Sequence, residues 1–385
     1  MFGRARRNEK IKNNRRSAEN GDIADGRGYE KKKKEMQEKW QQLQTKRDVL
    51  LLGIESSCDE TACAVVRNGR EILSNVILSQ IEIHRLYGGV VPEIASRNHV
   101  EAIDVVCKRA LQEAGVSATD LDAVAVTYGA GLVGALLVGV SFAKAFAQAL
   151  QIPLVAVNHI EGHICANYLT HPQLQPPYLC LLTSGGHTAL VKVSDYTSYE
   201  VLASTVDDAV GEAFDKVARC LSLPYPGGPQ IDRLAKDVEP QIRFHSALLP
   251  DGNFSYSGLK TGVINYLHRA EQRGEPVDRA QVAAAFTRAA LDGLVTRAVQ
   301  ECEKQGLSTL AVAGGVGANS YLRERLRQEG EKHRLHVLLP RPDLCTDNAA
   351  MIASQGYYLA RAGQGKADLT LNAMPTLKLR FSVKN

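Results

Sequence analysis

TLAVAGGVGANSYLRERL (residues 309–326) and AVAVTYGAGLVGALLVG (residues 123–139) share one plan: an apolar strand, a glycine-rich turn, then a helix. The correspondence extends to both sides. LVAVNHIEGHICANYL (154–169) is matched by HVLLPRPDLCTDNAAMIASQGYYL (336–359), each a strand, a polar turn and a helix. LLLGIESSCDETACAVV (50–66) is matched by YLCLLTSGGHTALVKV (178–193), in which Gly185-Gly186 makes the turn. Such a duplication predicts two related α/β lobes with a central cleft lined by the loops at the strand ends. Within the first half, TACAVV, Asn68-Gly69 and REILSNVIL read as strand, tight turn and strand. Glu93 to Gly115 has helical periodicity and a glycine stop. Asp207 to Leu221 also reads as helix. The expected units are residues 49–172 and 173–385, with the C-terminal helix and tail able to pack back on the first lobe.

A length of 385 residues, 44% of them hydrophobic, suffices for two domain-sized cores. The eight cysteines are scattered, without a CxxC, which fits reduced thiols buried as small core residues in the cytoplasm. No uninterrupted apolar run of about 18 residues argues for a membrane span. The net charge of +4 is unevenly placed. Residues 1–48 hold 15 Lys and Arg against 8 Asp and Glu, so the remainder is net −3. The basic segment reads as a flexible arm whose Lys31–Lys34 run is a solvated tail or a nucleic-acid tether. A start codon placed too far upstream would also account for it. Acidic residues from Glu9 to Glu30 disfavour a transit peptide. Met36, Trp40 and Leu43 are spaced for a short amphipathic helix leading into the body.

His159 and His163 stand one turn apart at a strand-to-helix junction, where two imidazoles project from one face and can share a metal. Asp347 occupies the equivalent turn of the second half. HIEGH is not the HExxH of a metalloprotease: Glu161 is two residues from His159, about 200° around the helix, and points away from the metal. Three glycine turns, Thr183-Ser184-Gly185-Gly186, Gly227-Gly228 and Gly314-Gly315, can bring main-chain N–H groups to a phosphate or carboxylate. Asp215, Asp232 and Asn319 stand near them and are suited either to ligand contacts or to capping helices.

Together the motifs are specific. GIESSCDET (53–61), GGVVPEIASRNH (88–99), NHIEGH (158–163), TSGGHT (183–188), DDAVGEAFDKVA (207–218), YPGGPQID (225–232), FSYSGLKT (254–261), AGGVGAN (313–319) and TDNAAMI (346–352) resemble the TsaD family. These are tRNA-adenosine threonylcarbamoyltransferases of the actin-like ATPase (ASKHA) fold, formerly described as glycoprotease-like. The resemblance runs from about Leu50 to about Leu379. It implies one divalent metal, iron(II) or a similar ion such as zinc or magnesium, on His159, His163 and Asp347. It implies that Leu182, Thr183, Ser184, Gly185, Gly186, Asp215, Gly228, Asp232 and Asn319 hold threonylcarbamoyl-AMP. Its group passes to N6 of adenosine 37 in tRNAs reading ANN codons, and AMP leaves. The family's helpers are TsaB and TsaE, with a TsaC-type synthase supplying the adenylate, or a second copy of the chain in a homodimer. Glu55 and Asp59 are candidate acids of the cleft. Thr183 stands where the family more often has an apolar residue, and Gly317 where alanine is common. A carbamoyltransferase or kinase of the same superfamily, and a nucleotide-switched binding module, stay open beside the transferase.

Overall fold

The structure, a computed structural model, describes residues 26–379, with side chains from residue 30. Helix α1 (Gly26–Thr45) leads into strands β1 (Leu50–Glu55), β2 (Glu60–Arg67) and β3 (Glu71–Ser79), an antiparallel meander. Asn68 and Gly69, at φ +52° and +68°, turn the chain between β2 and β3. A short α2 (Ile81–Arg85) and the long α3 (Pro92–Ala114) follow, and α3 ends at Gly115 with φ +66°. Then β4 (Ala123–Gly129), α4 (Val133–Leu150), β5 (Leu154–Asn158) and α5 (His159–Thr170) complete the first half. β4 lies parallel to β1, and β5 parallel to β4.

The second half runs β6 (Tyr178–Thr183), β7 (Thr188–Asp195), β8 (Ser198–Ser204), α6 (Val210–Cys220), α7 (Gly227–Ala235), α8 (Ser257–Arg273) and α9 (Arg279–Gln305). It ends with β9 (Thr309–Ala313), α10 (Ser320–His333), β10 (His336–Leu338) and α11 (Ala349–Arg361). The order β5-β4-β1-β2-β3 of the first sheet recurs as β10-β9-β6-β7-β8, with the same senses of pairing. The duplication expected from the sequence is therefore present strand for strand. A short β11 (Lys366–Ala367) adds to the first sheet beside β5.

The two halves are interlocked. The outer face of the first sheet packs on α3 and α4, and that of the second on α6 to α10. Between the sheets lie α5 and α11, each crossing to the other half. Ala349, Ala350, Met351, Ile352 and Ala353 of α11 share a core with β1, β2, β4 and β5. Ile160, Ile164, Cys165 and Tyr168 of α5 share one with β6, β7 and β9. Small residues permit this approach: a Cβ on Gly53 would lie 2.2 Å from the Ala349 carbonyl oxygen.

Two expectations shift. Asp207 and Asp208 stand before α6 rather than in it: Asp207 accepts hydrogen bonds from the N–H groups of Tyr256 (2.8 Å) and Ser257 (3.3 Å) at the start of α8, and Asp208 pairs with Lys260 (2.7 Å). Tertiary bonds outcompete one more helical turn. The basic segment is also not free throughout. Trp40 and Leu43 are buried against the first lobe, Lys366 covers the Trp40 ring at 5.6 Å, and Lys39 donates to the Gln151 carbonyl (2.7 Å). Lys31–Lys34 stays exposed, and residues 1–25 lie outside the described residues. Helix α4 is long and apolar enough by length and composition to cross a membrane, and its Ala135, Leu136, Val140 and Ala143 are buried in the first lobe.

Because the atom facing Gly53 is backbone, Gly53→Ala cannot be relieved by a rotamer change. Denaturant unfolding should show a loss of about 1–3 kcal/mol or more.

Candidate active site

Two equivalent asparagines start the two crossing helices. Asn158 accepts from the Ile160 N–H (2.9 Å) to cap α5, and Asn348 accepts from the Met351 N–H (3.0 Å) to cap α11. His159 and His163 therefore project from the first two turns of α5, and Asp347 sits just before the α11 cap. His163 Nε2 is 3.1 Å and His159 Nε2 3.4 Å from Asp347 Oδ1, and one ligand atom from each of the three residues lies within 4.8 Å of the others.

These separations suit a shared cation. Bonds of about 2.1 Å in octahedral or tetrahedral arrangement put neighbouring ligand atoms about 3.0–3.4 Å apart. His163 is 2% exposed at its side chain, and among the described residues neither of its ring nitrogens makes a well-aligned hydrogen bond. A buried imidazole left in that state is costly unless a ligand meets it. Electrostatics agree. Burial opposes charge on Asp347 and Glu55, yet the adjacent His159 keeps both carboxyls below their ordinary range. Burial likewise opposes charge on His159, and the Asp347 and Glu55 carboxylates override it. The cluster calls for positive charge between its acids, which a divalent ion supplies.

Glu55 is fully buried at the end of β1. It accepts from Ser57 N–H (2.6 Å) and Thr127 Oγ1 (2.5 Å), and its Oε2 lies 3.2 Å from His159 Nδ1. It orients the imidazole so that Nε2 faces Asp347, in the manner of a carboxylate behind a metal-bound histidine. Glu161, the acid between the two histidines, turns away from the ion site into the helix interface and accepts from Gln355 Nε2 of α11 at 2.9 Å.

A cavity of about 410 Å³ opens beside Asp347, lined by Asp59, Ser184, Gly185, Asp215, Gly228, Asp232 and Asn319 among others. Residues at the N-termini of α6, α7 and α10 reach it, Gly211, Gly228 and Asn319, and their main-chain dipoles favour negative charge, against which stand the acidic Asp59, Glu60, Asp215, Asp232 and Asp347 of the same lining. Phe214, Pro229 and Val316 add apolar wall. Some anticipated contacts have structural duties too. Asp232 accepts from Ser320 N–H (3.1 Å) and Oγ (2.7 Å), Asp215 from Gly227 N–H (2.7 Å), and Asn319 caps α10 through its carbonyl oxygen. Burial pushes the Asp215 carboxyl above its ordinary range. Leu182 and Thr183 are buried in β6 and Gly186 is exposed; none of the three lines this cavity. Gly314, at φ +88°, lies so close to Thr183 that a Cβ would meet its carbonyl oxygen at 2.4 Å.

The family model described as TsaD, tRNA N6-adenosine threonylcarbamoyltransferase, matches residues 71–354. The chain belongs to the TsaD family. It is 53% identical over 336 residues to the tRNA N6-adenosine threonylcarbamoyltransferase of Clostridium perfringens strain ATCC 13124, covering 86% of this chain and 98% of that protein. For the Clostridium novyi protein of the same name the figures are 52% over 339 residues, 86% and 98%. Among solved structures, HypF of T. kodakarensis is similar with TM-score 0.56 and 16% identity, over 84% of this chain and 49% of that one. Component A of the Acidaminococcus fermentans (R)-2-hydroxyglutaryl-CoA dehydratase gives TM-score 0.50 and 14% identity, over 81% and 99%. At such identities the likeness concerns fold alone, which is the actin-like ASKHA architecture.

Within this TsaD chain, sequence reasoning missed Glu60, His187 and Tyr225. Glu60 and Tyr225 line the cavity; burial and the neighbouring Asp59 push the Glu60 carboxyl up to about 10. Burial, with His159 and His163 nearby, lowers His187 to about 4, which favours its neutral imidazole. The only signal was position: Glu60 follows Asp59, and His187 closes the TSGGHT turn.

Two measurements test the centre. Metal analysis after dialysis should find about one divalent ion per wild-type chain and none on Asp347→Ala or His163→Ala. Glu55→Gln should weaken metal binding about 10–100-fold without removing a ligand.

Proposed function

We propose that this chain transfers the threonylcarbamoyl group of threonylcarbamoyl-AMP to N6 of adenosine 37 in tRNAs reading ANN codons. The observation that carries this reading is the meeting of the His159–His163–Asp347 group with a cavity reached by three helix N-termini, in a chain of the TsaD family. The N6 amine attacks the carbamoyl carbon, a new N–C bond forms, the C–O bond to phosphate breaks, and AMP departs while N6 gives up a proton. The ion, iron(II) in this proposal, supplies Lewis-acid polarisation when bound. Ser184 and Gly185, with the N-termini of α6, α7 and α10, receive the adenylate's negative charge, which grows on the leaving group. Asp215, Gly228, Asp232 and the amide of Asn319 hold its nucleoside part. The backbone of Leu182, Thr183 and Gly186 sets the turn. Asp59 is the carboxylate at the cavity that we assign to proton handling, and Glu55 the one that orients His159.

A peptidase reading lacks its base, since Glu161 bonds to Gln355 rather than facing the ion site. A kinase reading gives no use to two histidines converging on Asp347. Turnover draws on tRNA, on adenylate from a TsaC-type synthase, and on the helpers TsaB and TsaE or a second copy of the chain, all in the cytoplasm. The exposed apolar Val133 and Leu137 of α4 offer a surface for such a partner.

With helpers, adenylate and unmodified tRNA, wild type should form the modified adenosine, while His163→Ala and Asp347→Ala form almost none. Full turnover by both variants would remove the metal from the mechanism; no product from wild type would remove tRNA as substrate. The exposed Lys31–Lys34 run reads as a solvated helix end. Replacing all four by glutamine should leave the slope of log K against log salt for tRNA binding unchanged, whereas a change of about 0.7 per lost phosphate contact would make it a tether.

A further inference from the structure

Between α2 and α3 the first lobe sends a short strap across the mouth of the cleft. Its base is anchored by His84, which is buried: the Gly89 N–H donates to the His84 carbonyl (3.2 Å), and the Val91 N–H to His84 Nδ1 (3.3 Å). Two bonds reach the second lobe. Arg219, in the last turn of α6, donates through Nη2 to the Gly88 carbonyl (2.8 Å), and Arg85 donates through Nε to the carbonyl of Tyr225 (3.2 Å). Tyr225 lines the cavity, and so does Ile81 at the start of α2. Gly88 and Gly89, at φ +70° and +156°, let the main chain make this turn. Leu86 and Tyr87 are left at the crest, 82% and 60% exposed. The strap is thus held at both ends while its two largest apolar side chains face solvent beside the active site.

Two adjacent exposed apolar side chains beside the cavity offer a contact surface to what enters it. The substrate class supplies an occupant. A base that reacts at N6 must leave its stack to enter the cleft, and its neighbours in a single-stranded loop then expose their faces. An aromatic ring accepts such a face whatever the base, and adjacent guanidinium groups meet the phosphates. Arg85 and Arg219 stand on either side of the crest on a body whose net charge, these two included, is −3. Arg85 also pairs with Glu82 at 3.0 Å, an exposed ion pair that water screens.

We propose that Tyr87, with Leu86 beside it, is a stacking platform for an unpaired nucleotide of the tRNA anticodon loop, held at the cleft mouth by the Gly88–Arg219 and Arg85–Tyr225 bonds. This rests on the tRNA-modifying reading above and adds to it the place where the loop is received.

Steady-state kinetics of the chain preassembled with its helpers, at saturating adenylate and varied tRNA, test it. Tyr87→Ala should raise KM for tRNA about 5- to 100-fold with kcat and adenylate affinity near wild type, and Tyr87→Phe should restore KM. Direct binding of unmodified tRNA should weaken by the same factor. Unchanged KM and tRNA affinity in Tyr87→Ala would overturn the platform, as would a loss of helper association with tRNA affinity intact, which would make the crest a protein contact. If wild type modifies no tRNA, the transferase reading fails by itself, and the direct binding comparison still decides the platform. Tyr87 is exposed, so a folding defect is not expected, and an unchanged melting temperature checks that.

Discussion

The crossing of α5 and α11 between the two sheets is the constraint on which the rest of this molecule depends. Each helix starts in one half and packs on the sheet of the other, so neither lobe completes its core alone. The approach is close because the contacts are small. Gly53 of β1 lies against the Ala349 carbonyl, and a Cβ on Gly162 of α5 would lie 2.7 Å from Ile352 Cδ1. Burying Met351, Ile352 and Leu359 at this junction contributes about 1.5–3 kcal/mol each. The same crossing places the N-terminus of α5 beside that of α11, and with them His159 and His163 beside Asp347.

Electrostatics then follow from position. The two helix starts bring imidazoles and carboxylates into a nearly dry volume in which Glu55 is fully buried and His163 nearly so. Uncompensated, such groups would be costly. Glu55 is satisfied by Ser57, Thr127 and His159, which leaves the Nε2 side of the imidazoles to a cation. Next to this, the cavity is lined by helix N-termini, glycine backbone and acidic side chains, with no Lys, Arg or His among its described lining residues. Main-chain dipoles at those helix starts face five carboxyl groups, of Asp59, Glu60, Asp215, Asp232 and Asp347, in the same lining.

Much of this was legible in the chain. Strand and helix alternation, repeated in the same order, carried the duplicated fold, because each half encodes the same sequence of buried strands and crossover helices. The convergence of His159, His163 and Asp347 was legible for a related reason: equivalent turns of a duplicated fold reach the same cleft. Other features were less accessible. Asp207 reads as helix but caps α8 from outside, through backbone groups 49 and 50 residues away. Glu55 and Asp59 look alike as acids near a turn, yet Glu55 ends β1 while Asp59 lies in the turn before β2, which sends one behind His159 and the other into the cavity.

Sequence by itself determined the order of the strands and helices that recur in both halves, the family, the convergence of His159, His163 and Asp347, and the amphipathic helix at Met36, Trp40 and Leu43, because each depends on local periodicity or on motif spacing. Tertiary structure alone decided that α5 and α11 exchange sheets, that Glu60, His187 and Tyr225 join the site, that Leu182 and Thr183 stay in the core, and that Leu86 and Tyr87 stand exposed at the cleft mouth. Those facts depend on which side of a strand or turn faces which distant element. Packing across the two halves sets that, and no pattern within either half does.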